Sequence, residues 1–476
     1  MHPYSDGAGD DLNEECGIFG VYAPGTDVAR LTFFGLYALQ HRGQESAGIA
    51  VTRAGEVRLR KQLGLVGQVF DEDDLRNLRG DIAVGHARYS TTGSTLPENA
   101  GPMAADSDLG TIVVSHNGNI VNALALREEL LAEGVRLTTT TDSELLTHMI
   151  ARADGLSIVE KLRRALGRCI GAYSLAILTP EHLVGVRDPN GIRPLCIGRS
   201  DAGWILASES CALATVGASL VREVEPGEIV VIDTDGIQSY PLGDVAPRAM
   251  CVFEMIYFSR PDSLLLGERV HLSRQRMGEE LAKEHPRDAD IVVPVPDSAI
   301  PAAIGYARAS GIPYADALIK NRYIGRTFIQ PDQHMRERGV QLKFNALPEV
   351  LEGQRVVLID DTIVRGTTSR PIVQLLRSAG AREVHMLVHA PPIMWPCYLG
   401  VDMATREELI AARHSIAEIA EIVGVDYLGY LSLEGLYRAV RVPGNRLCSA
   451  CLTGQYPVPI EVAADKHALE RQAVGA

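Results

Sequence analysis

The run VVLIDDTIVRGTTS, residues 356–369, constrains the fold of this chain more than any other segment. Four apolar residues predict a buried strand, two acidic residues follow at its carboxyl end, and a loop containing Gly and Thr leads into a predicted helix over residues 370–379. Apolar strands are also predicted at 291–295 and 384–388, and the first of these precedes a predicted helix over 300–310. Continuous apolar strands that alternate with helices predict a buried parallel sheet.

The loop after the first of these strands is a candidate phosphate site. Ligands bind at the carboxyl ends of strands in open α/β sheets, and helix N-termini attract phosphate through free N–H groups and the helix dipole. The run has neither the Gly-Lys-Thr of a Walker loop nor the Gly-x-Gly of a dinucleotide fingerprint. An ordinary strand-to-helix loop with solvated acids is the alternative, but turn chemistry alone does not require two adjacent acids. The run resembles the phosphoribosyl pyrophosphate motif of type I phosphoribosyltransferases.

That resemblance implies roles for three segments. Asp360 and Asp361 would hold the ribose 2- and 3-hydroxyls, directly or through Mg²⁺, and residues 362–368 would cradle the 5-phosphate. The segment VPVPDSA, residues 293–299, fits the family's pyrophosphate loop, and KNRYIGRTFIQP, residues 320–331, fits its flexible catalytic loop. The implied ligands of phosphoribosyl pyrophosphate are Asp297, Ser298, Lys320, Arg322, Tyr323, Arg326, Asp360, Asp361, Thr362, Arg365, Gly366, Thr367 and Thr368, with Ser298, Asp360 and Asp361 at the Mg²⁺. The basic cluster of residues 320–326 would neutralise a pyrophosphate leaving group, whereas a solvated basic loop is the alternative.

The N-terminal half has a different pattern. From Cys16 to about Tyr240, short apolar segments alternate with Gly, Asn and Asp turns, which predicts antiparallel sheet. The predicted strands include 17–22, 112–115, 173–178, 204–207 and 228–232, and helices are predicted over 29–39 and 143–166, the second capped by residues 141–143. A Gly- and Pro-containing stretch at 241–247 separates the two halves.

Cys16 is a candidate nucleophile because it follows an acidic leader, residues 1–15, that one peptide cleavage could remove. A free α-amino group has a pKa of about 7.7 to 8.0 and can act as the base toward its own thiol. One residue would then supply both nucleophile and base. The alternative is a buried structural cysteine at the start of a strand, and local sequence alone favours that alternative.

Four polar segments follow Cys16, each with glycines and each expected in a loop at an element end. They are QHRGQESAG at 40–48, GHARYSTTG at 85–93, SHNGNI at 115–120 and TTDSE at 140–144. Together with CGIFG they resemble the glutaminase domain of N-terminal-nucleophile amidotransferases, in that family's order.

This second resemblance implies that Cys16 attacks the side-chain amide of glutamine. Asn117 and the N–H of Gly118 would hold the oxyanion, while Arg88 would bind the glutamine carboxylate and Asp142 its ammonium group. Arg42, His86 and His116 lie in or beside the matching segments and are more consistent with supporting roles.

The remaining cysteines leave several interpretations open. Cys448 and Cys451 form the only C-x-x-C, which is compatible with zinc, an iron–sulfur cluster, redox chemistry or no function. Cys251 and Cys397 lie far away in sequence. Resemblance along the whole chain, however, matches these four to the ligands of the iron–sulfur branch of the glutamine phosphoribosylpyrophosphate amidotransferases, which also carries an N-terminal propeptide. Cys169, Cys196 and Cys211 have no such match and are expected to be core thiols.

The resemblances predict a four-layer αββα glutaminase domain followed by a type I phosphoribosyltransferase domain, whose parallel sheet is flanked by helices. The predicted divisions are a propeptide at 1–15, the glutaminase at 16–245, the phosphoribosyltransferase at 246–460 and a tail at 461–476. Implied cofactors are a 4Fe-4S cluster and Mg²⁺; implied partners are glutamine, phosphoribosyl pyrophosphate, inhibitory purine nucleotides and three further copies in a homotetramer. The expected reaction forms phosphoribosylamine, glutamate and pyrophosphate.

Composition excludes several other functions. Lys and Arg total 46 against 60 Asp and Glu, a formal charge of −14, which disfavours nucleic-acid or anionic-membrane binding as a property of the whole surface. No apolar run is long enough to span a bilayer and no secretory signal is found, so a cytoplasmic location is expected. Two rival functions are a different amidotransferase, whose acceptor domain would lack DDTIVRGTTS, and a catalytically inactive nucleotide sensor.

Overall fold

The computed structural model describes residues 16–89, 95–244, 246–321, 342–401, 403 and 405–460. Its N-terminal half contains two antiparallel sheets. The first has seven strands, in the spatial order Ser219–Glu223, Cys196–Arg199, Trp204–Ala207, Gly17–Tyr22, Ile82–Arg88, Ser46–Arg53 and Glu56–Leu63. The second has six, in the order Gly236–Pro241, Glu228–Asp233, Leu183–Arg187, Gly171–Leu178, Gly110–Ile120 and Met103–Ser107.

Three apolar clusters hold these sheets between helices. The cluster between the sheets includes Ile18 and Val84 from the first and Val113 and Ala176 from the second, all fully buried. Helices on the outer face of the first sheet are Val28–Ala38, Val66–Val69, Glu72–Asn77 and Ser210–Thr215, and those on the outer face of the second are Ala123–Ala132, Asp142–Arg152 and Ile158–Leu166. The order helix, sheet, sheet, helix confirms the predicted αββα layers.

Two local predictions were wrong. The helix predicted over 143–166 is two helices, Asp142–Arg152 and Ile158–Leu166. Gly155 between them has a φ of 153°, which ordinary side chains rarely adopt, and Ser157 caps the second helix by accepting the Glu160 N–H. In addition, much of GHARYSTTG and all of SHNGNI lie in strands, because polar residues there face an internal cleft rather than solvent.

The C-terminal half contains the predicted parallel sheet, in the order Ile291–Pro294, Arg355–Asp360, Glu383–Val388 and Tyr427–Tyr430. Its helices are Val270–Glu284, Ile300–Ser310, Pro348–Leu351, Ser369–Ser378, Ile410–Arg413, Ile416–Val423, Leu433–Val440 and Ala450–Thr453, and a π-helix spans Glu254–Phe258. Paired two-stranded elements are Met250–Cys251 with Leu447–Cys448, Leu264–Leu265 with Glu268–Arg269, and Leu318–Lys320 with Phe344–Ala346. Short 3-10 turns lie at Pro97–Asn99, Arg406–Glu408 and Gly444–Arg446.

The two halves share buried surface. The apolar core around the parallel sheet also includes Ala172 and Ile192 of the N-terminal half, and the Cys251 N–H donates to Ile192 O at 3.1 Å. This junction brings the segment that starts the second half against the two antiparallel sheets of the first half. Within the described ranges, no helix is both long and apolar enough to cross a lipid bilayer. The predicted propeptide and C-terminal tail lie outside the described residues.

Candidate active sites

A small cleft in the N-terminal half brings Cys16 together with residues of three of the four polar segments, 85–93, 115–120 and 140–144, whereas neither the segment 40–48 nor Asn117 is among its lining residues. Its lining residues come from three strands and the start of one helix. They are Cys16, His86, Arg88, Tyr89, His116, Gly118, Thr141, Asp142 and Ser143. Residues that are up to 127 positions apart in sequence therefore surround one thiol.

Cys16 lies immediately before the strand Gly17–Tyr22 and is buried. Its thiol donates to the carbonyl oxygen of Tyr89, with Sγ and O 3.4 Å apart. Burial raises the pKa of this thiol to about 11, although Tyr89 and Arg88 act in the opposite direction. The thiol is therefore protonated at neutral pH, so a nucleophilic role requires a nearby base.

Asn117 and Gly118 occupy the strand Gly110–Ile120, whose register pairs Asn117 with Ser174. Asn117 is 1% exposed, and neither atom of its side-chain amide has a hydrogen-bond partner among the described residues. Buried amides normally find partners, so this one is available to a bound group. Gly118 has a φ of 149°, and a Cβ there would lie 2.0 Å from Ala172 O. Only glycine fits, and the pair is suitable for stabilising an oxyanion.

Arg88 and Asp142 supply opposite charges to the cleft. Arg88 is 4% exposed, and its Nη1 lies 3.6 Å from Glu45 Oε2. Asp142 begins the helix Asp142–Arg152 and accepts the Ile120 N–H at 3.0 Å. Burial opposes ionisation of Asp142, but His116 and the hydrogen bond from Ile120 still lower its pKa below the ordinary value. The cleft thus holds a cation and an anion that match the two charged ends of a free amino acid.

The two histidines have supporting positions. Burial lowers the pKa of His86 to about 3, so its ring is neutral, and neither ring nitrogen has a partner among the described residues. His116 Nδ1 lies 3.2 Å from Ser143 Oγ and 3.6 Å from Asp142 Oδ1. His116 therefore orients the start of the helix that carries Asp142.

Arg42 connects this cleft to the second half of the chain. Its Nε donates to the Cys16 carbonyl oxygen at 3.3 Å, and its Nη1 donates to Glu209 at 2.7 Å. Glu254, in the C-terminal half, receives two further hydrogen bonds from Arg42. Arg193 Nη1 lies 3.8 Å from Glu254 Oε1 in the same buried cluster. Sequence reasoning missed Glu209, Glu254 and Arg193. A signal existed for Glu254, since it is the one charged residue between Val252 and Phe258, and an acid in such an apolar run needs a buried partner.

The second site lies at the carboxyl end of the strand Arg355–Asp360. Asp361 accepts a hydrogen bond from Ser298 Oγ and another from Thr362 Oγ1 at 2.7 Å. The Asp361 N–H donates to Asp360 Oδ1 at 2.9 Å. These contacts bring the predicted pyrophosphate loop to the acidic pair, because the strands before them are parallel neighbours.

The loop after the acids is the predicted phosphate cradle, and it leads directly into a helix. Gly366 has a φ of 78°, Thr367 is exposed, and the helix Ser369–Ser378 follows. Arg365 lies near Glu408, with Nη2 and Oε2 3.4 Å apart. The start of this helix lies at the same end of the sheet as the acidic pair, because a short loop joins that end of the strand Arg355–Asp360 to it.

Lys320, from the predicted catalytic loop, forms an ion pair with Asp297, with Nζ and Oδ2 3.0 Å apart. This contact places the first basic residue of that loop beside the predicted pyrophosphate loop. Arg322, Tyr323 and Arg326 lie outside the described residues.

The four cysteines matched to cluster ligands lie together at the junction of the halves. Cys251 and Cys448 are directly paired residues of two short parallel strands, and Cys451 O accepts the N–H groups of Met394 and Trp395, next to Cys397. Burial raises the pKa of Cys251 to about 12, and the neighbouring thiols of Cys448 and Cys397 add to that rise.

Within the described ranges, no group of three or more His, Cys, Asp or Glu side chains meets the spacing of a site for one metal ion. A polynuclear cluster places its ligands farther apart than one ion does, because several iron atoms lie between them. Four clustered thiols without carboxylate or imidazole fit such a cluster.

Comparison with known proteins assigns each half to a domain family. Residues 86–215 match the glutamine amidotransferase domain family, and residues 271–391 match the phosphoribosyl transferase domain family. An amidophosphoribosyltransferase of Synechococcus elongatus is 52% identical over 97% of this chain and 95% of its own length.

Two solved structures have the same overall fold. The glutamine phosphoribosylpyrophosphate amidotransferase of B. subtilis, complexed with ADP and GMP, has a TM-score of 0.89 and 45% identity, covering 94% of this chain and 99% of that one. A structure described as the allosteric regulatory enzyme of purine biosynthesis has a TM-score of 0.90 and 44% identity, covering 94% and 98%.

A glutamine amidotransferase domain and a phosphoribosyl transferase domain in one chain define a glutamine-dependent phosphoribosyl-transferring enzyme. The length of the match and its identity settle the particular family. The chain belongs to the amidophosphoribosyltransferase family.

Proposed function

We propose that the chain hydrolyses glutamine at Cys16 after removal of residues 1–15. The freed α-amino group accepts the thiol proton, and the thiolate attacks the glutamine side-chain carbonyl. Asn117 and the Gly118 N–H donate to the resulting oxyanion. Its collapse breaks the C–N bond, and the α-ammonium group of Cys16 returns the proton to the departing nitrogen, which leaves as ammonia. Water then hydrolyses the thioester, which gives glutamate and the free thiol. Arg88 and Asp142 bind the carboxylate and ammonium groups of glutamine, which places the amide at the thiol. The observation that carries this proposal is the single cleft in which Cys16, Arg88, Gly118 and Asp142 meet.

The C-terminal half then receives ammonia at a bound phosphoribosyl pyrophosphate. Asp360 and Asp361 hold the ribose hydroxyls. Residues 362–368, which include Arg365, hold the 5-phosphate. Asp297, Ser298 and Lys320 face the pyrophosphate. Mg²⁺ held by Ser298, Asp360 and Asp361 would neutralise pyrophosphate charge, and this assignment is supported by the Ser298–Asp361 contact, in which two of these side chains already converge. Arg322, Tyr323 and Arg326 are assigned to the same ligand from the sequence motif.

Ammonia passes between the sites without entering solvent. In bulk water at neutral pH ammonia is mostly protonated and is no longer a nucleophile. The shared core of the two halves and the Arg42–Glu254 contact support an internal route, because they fix the glutaminase cleft against the second domain. Attack on C1 of the ribose displaces pyrophosphate and gives phosphoribosylamine, a step of purine biosynthesis.

We infer further that Cys251, Cys397, Cys448 and Cys451 hold a 4Fe-4S cluster. The four thiols join the end of the chain to the start of the second half, and that position suits a structural cross-link, since the reaction has no redox step. The assignment places the chain in the iron–sulfur branch of its family, with residues 1–15 as propeptide.

Purine nucleotides are proposed as feedback inhibitors, since the B. subtilis relative was solved with ADP and GMP. We also propose that the protein is a homotetramer located in the cytoplasm. Its proposed domain limits are 16–245 and 246–460. The two family matches fall within those limits.

The test of the two-site reaction is Cys16→Ala, assayed with glutamine and with high ammonium at alkaline pH. Synthesis from glutamine should be abolished, whereas synthesis from ammonium should continue, because the phosphoribosyl site is intact. Cys169→Ala, which removes a thiol outside the cleft, should retain both activities. Loss of ammonium-supported synthesis in well-folded Cys16→Ala protein would overturn the two-site scheme. A wild-type protein that releases no pyrophosphate with glutamine would instead support the sensor alternative.

A further inference from the structure

Residues 398–400 of the C-terminal half lie directly against the oxyanion residues of the N-terminal half. Asn119 Nδ2 donates to the Tyr398 carbonyl oxygen at 2.9 Å, across 279 positions of sequence. Gly400 approaches even more closely, because a Cβ built on it would lie 3.1 Å from both Cα and C of Gly118. Arg193 Nη2 lies at the same distance, 3.1 Å, from that position.

Gly118 is therefore confined from two directions. Ala172 O lies on one side, where a Cβ on Gly118 would meet it at 2.0 Å, and Gly400 lies close to the same peptide. The Gly118 φ of 149° is a conformation that the chain needs glycine to adopt, and Gly400 has a φ of 109°. The orientation of the Gly118 peptide thus depends on a segment of the other half.

Arg193 fixes the middle of that segment. Its Nε and Nη2 donate to the Leu399 carbonyl oxygen at 3.0 and 2.6 Å, and its side chain is fully buried. The Arg193 carbonyl oxygen in turn accepts from Ser174 Oγ at 3.1 Å. Ser174 is the strand partner of Asn117. One arginine therefore links the segment of the second half to the strand pair that presents the oxyanion donors.

We propose that residues 398–400, held by Asn119 and Arg193, position the oxyanion hole of the glutaminase. This inference rests on the proposed function, since it assumes that Asn117 and Gly118 stabilise the oxyanion. Asn119, Arg193 and Gly400 are positioning residues, because they act through Gly118 and not on glutamine. The phosphoribosyl half thus supplies part of the structure that makes the glutaminase active, in addition to its own reaction.

The proposal predicts a specific kinetic signature. Oxyanion donors interact with charge that develops only in the transition state, so a displaced Gly118 N–H lowers kcat without weakening glutamine binding by Arg88 and Asp142. Removal of a whole oxyanion donor costs about 10²- to 10³-fold in kcat, and a displaced donor should cost less. A general loss of folding would instead lower both activities of the enzyme.

The experiment compares Gly400→Ala with Gly424→Ala in the full chain. Gly424 also has a positive φ, 86°, but no atom lies within 4 Å of the position that a Cβ would occupy there, so it controls for backbone strain alone. Glutamate formation is measured at saturating phosphoribosyl pyrophosphate, and pyrophosphate release is measured separately with ammonium. Binding of a glutamine analogue that carries an aldehyde in place of the amide is measured as well, because its thiol adduct places an oxyanion in the hole.

For Gly400→Ala we expect kcat for glutamate formation to fall about tenfold or more, with KM for glutamine and ammonium-supported synthesis within about twofold of wild type. The aldehyde should bind more weakly by a similar factor. Gly424→Ala should match wild type. A Gly400→Ala protein with unchanged kcat, with a raised KM alone, or with equal losses for both nitrogen sources would overturn the inference.

Asn119→Ala provides a second route that does not depend on tolerance of a new Cβ. It removes the hydrogen bond to Tyr398. As for Gly400→Ala, kcat for glutamate formation should fall while KM for glutamine stays close to the wild-type value. Asn122→Ala is its matched control, since Asn122 bonds Arg168 O and the Ile170 N–H near the same strand end, away from residues 398–400. Wild-type kcat in Asn119→Ala would refute the inference, whereas absence of glutamine hydrolysis in wild-type protein would refute the proposed function itself.

Discussion

Arg42 of the N-terminal half and Glu254 of the C-terminal half form a buried ion pair with two hydrogen bonds, of 2.7 and 3.0 Å. Neither side chain is exposed to solvent. The same guanidinium donates to the backbone carbonyl of Cys16. Beyond Glu254, Ser259 Oγ donates to the Glu254 carboxylate, and Arg274 donates to Ser259 O at 2.8 Å. A buried ion pair between the two halves therefore lies against the backbone of the candidate nucleophile.

The first prediction concerns the stability of this connection. Glu254→Gln should destabilise the protein by about 3 kcal/mol, because it removes one of the two carboxylates that balance the buried charge of Arg42. The measurement is heat unfolding followed by calorimetry. Glu133→Gln, which removes an exposed partner of Arg152, should change stability by no more than about 0.5 kcal/mol. Equal unfolding midpoints for the two variants would contradict the prediction.

Much of the fold could be predicted because its signals are local. The helix Ile300–Ser310 and the strands Gly17–Tyr22 and Trp204–Ala207 have the predicted limits, since apolar periodicity and flanking turns determine them. The break near Gly155 was missed because a short polar linker between two helices keeps the helical period nearly intact. The polar segments around His86 and Asn117 form strands because they are buried beside a cleft. That burial is a tertiary effect, which the sequence does not show.

Sequence motifs predicted that Cys16, Arg88, Gly118 and Asp142 lie in one site. They did not predict the contacts between the two halves. The hydrogen bonds from Arg193 to Leu399 and from Asn119 to Tyr398 join positions 206 and 279 residues apart. Their sequences carry no periodicity or spacing that pairs them. Only the packing of one domain on the other selects these partners.

The second prediction concerns maturation. The active chain should begin at Cys16, because a peptide nitrogen cannot accept the thiol proton and a free amino group can. Intact-mass measurement and N-terminal sequencing of active protein decide this. Fully active protein that retains residues 1–15 would contradict the assignment of the α-amino group as base.

The third prediction is the pH dependence of Cys16 reactivity. With residue 15 still attached, burial raises the pKa of the thiol to about 11, so the reactive thiolate fraction should increase about tenfold per pH unit from about pH 7 to 10. In the chain that begins at Cys16, alkylation should level off near the pKa of the amino group, about 7.7 to 8.0. The Cys16 peptide is quantified by mass spectrometry after iodoacetamide treatment. The Cys169 peptide is the internal control, and identical profiles for Cys16 in both forms would contradict the prediction.

The fourth prediction is that purified protein is brown and contains iron and acid-labile sulfide. Cys448→Ser should lower the iron content and the folding yield, because it removes one of four thiols that join the end of the chain to the second half. Cys196→Ala changes a buried thiol of the first sheet and should retain full iron. Metal analysis with a sulfide assay measures both. Stoichiometric zinc without sulfide would exclude the cluster.

The fifth prediction separates the two sites through Asp361. Its carboxylate accepts hydrogen bonds from Ser298 and Thr362, and Asp361→Asn would replace one of those accepting oxygens with a donor. Synthesis should fall with glutamine and with ammonium alike, by about 2 to 3 kcal/mol of transition-state stabilisation, because the acceptor site serves both nitrogen sources.

Glutamate formation should also decrease in Asp361→Asn, since a closed phosphoribosyl site is expected to activate the glutaminase and to prevent wasted hydrolysis. Asp288→Asn, which changes an exposed carboxylate beside Arg355, is the control and should leave both activities unchanged. Pyrophosphate release and glutamate formation are measured separately for each variant with each nitrogen donor. If Asp361→Asn lowered synthesis from glutamine but not from ammonium, Asp361 would act on the glutaminase rather than on the ribose, and its place in the phosphoribosyl site would be wrong.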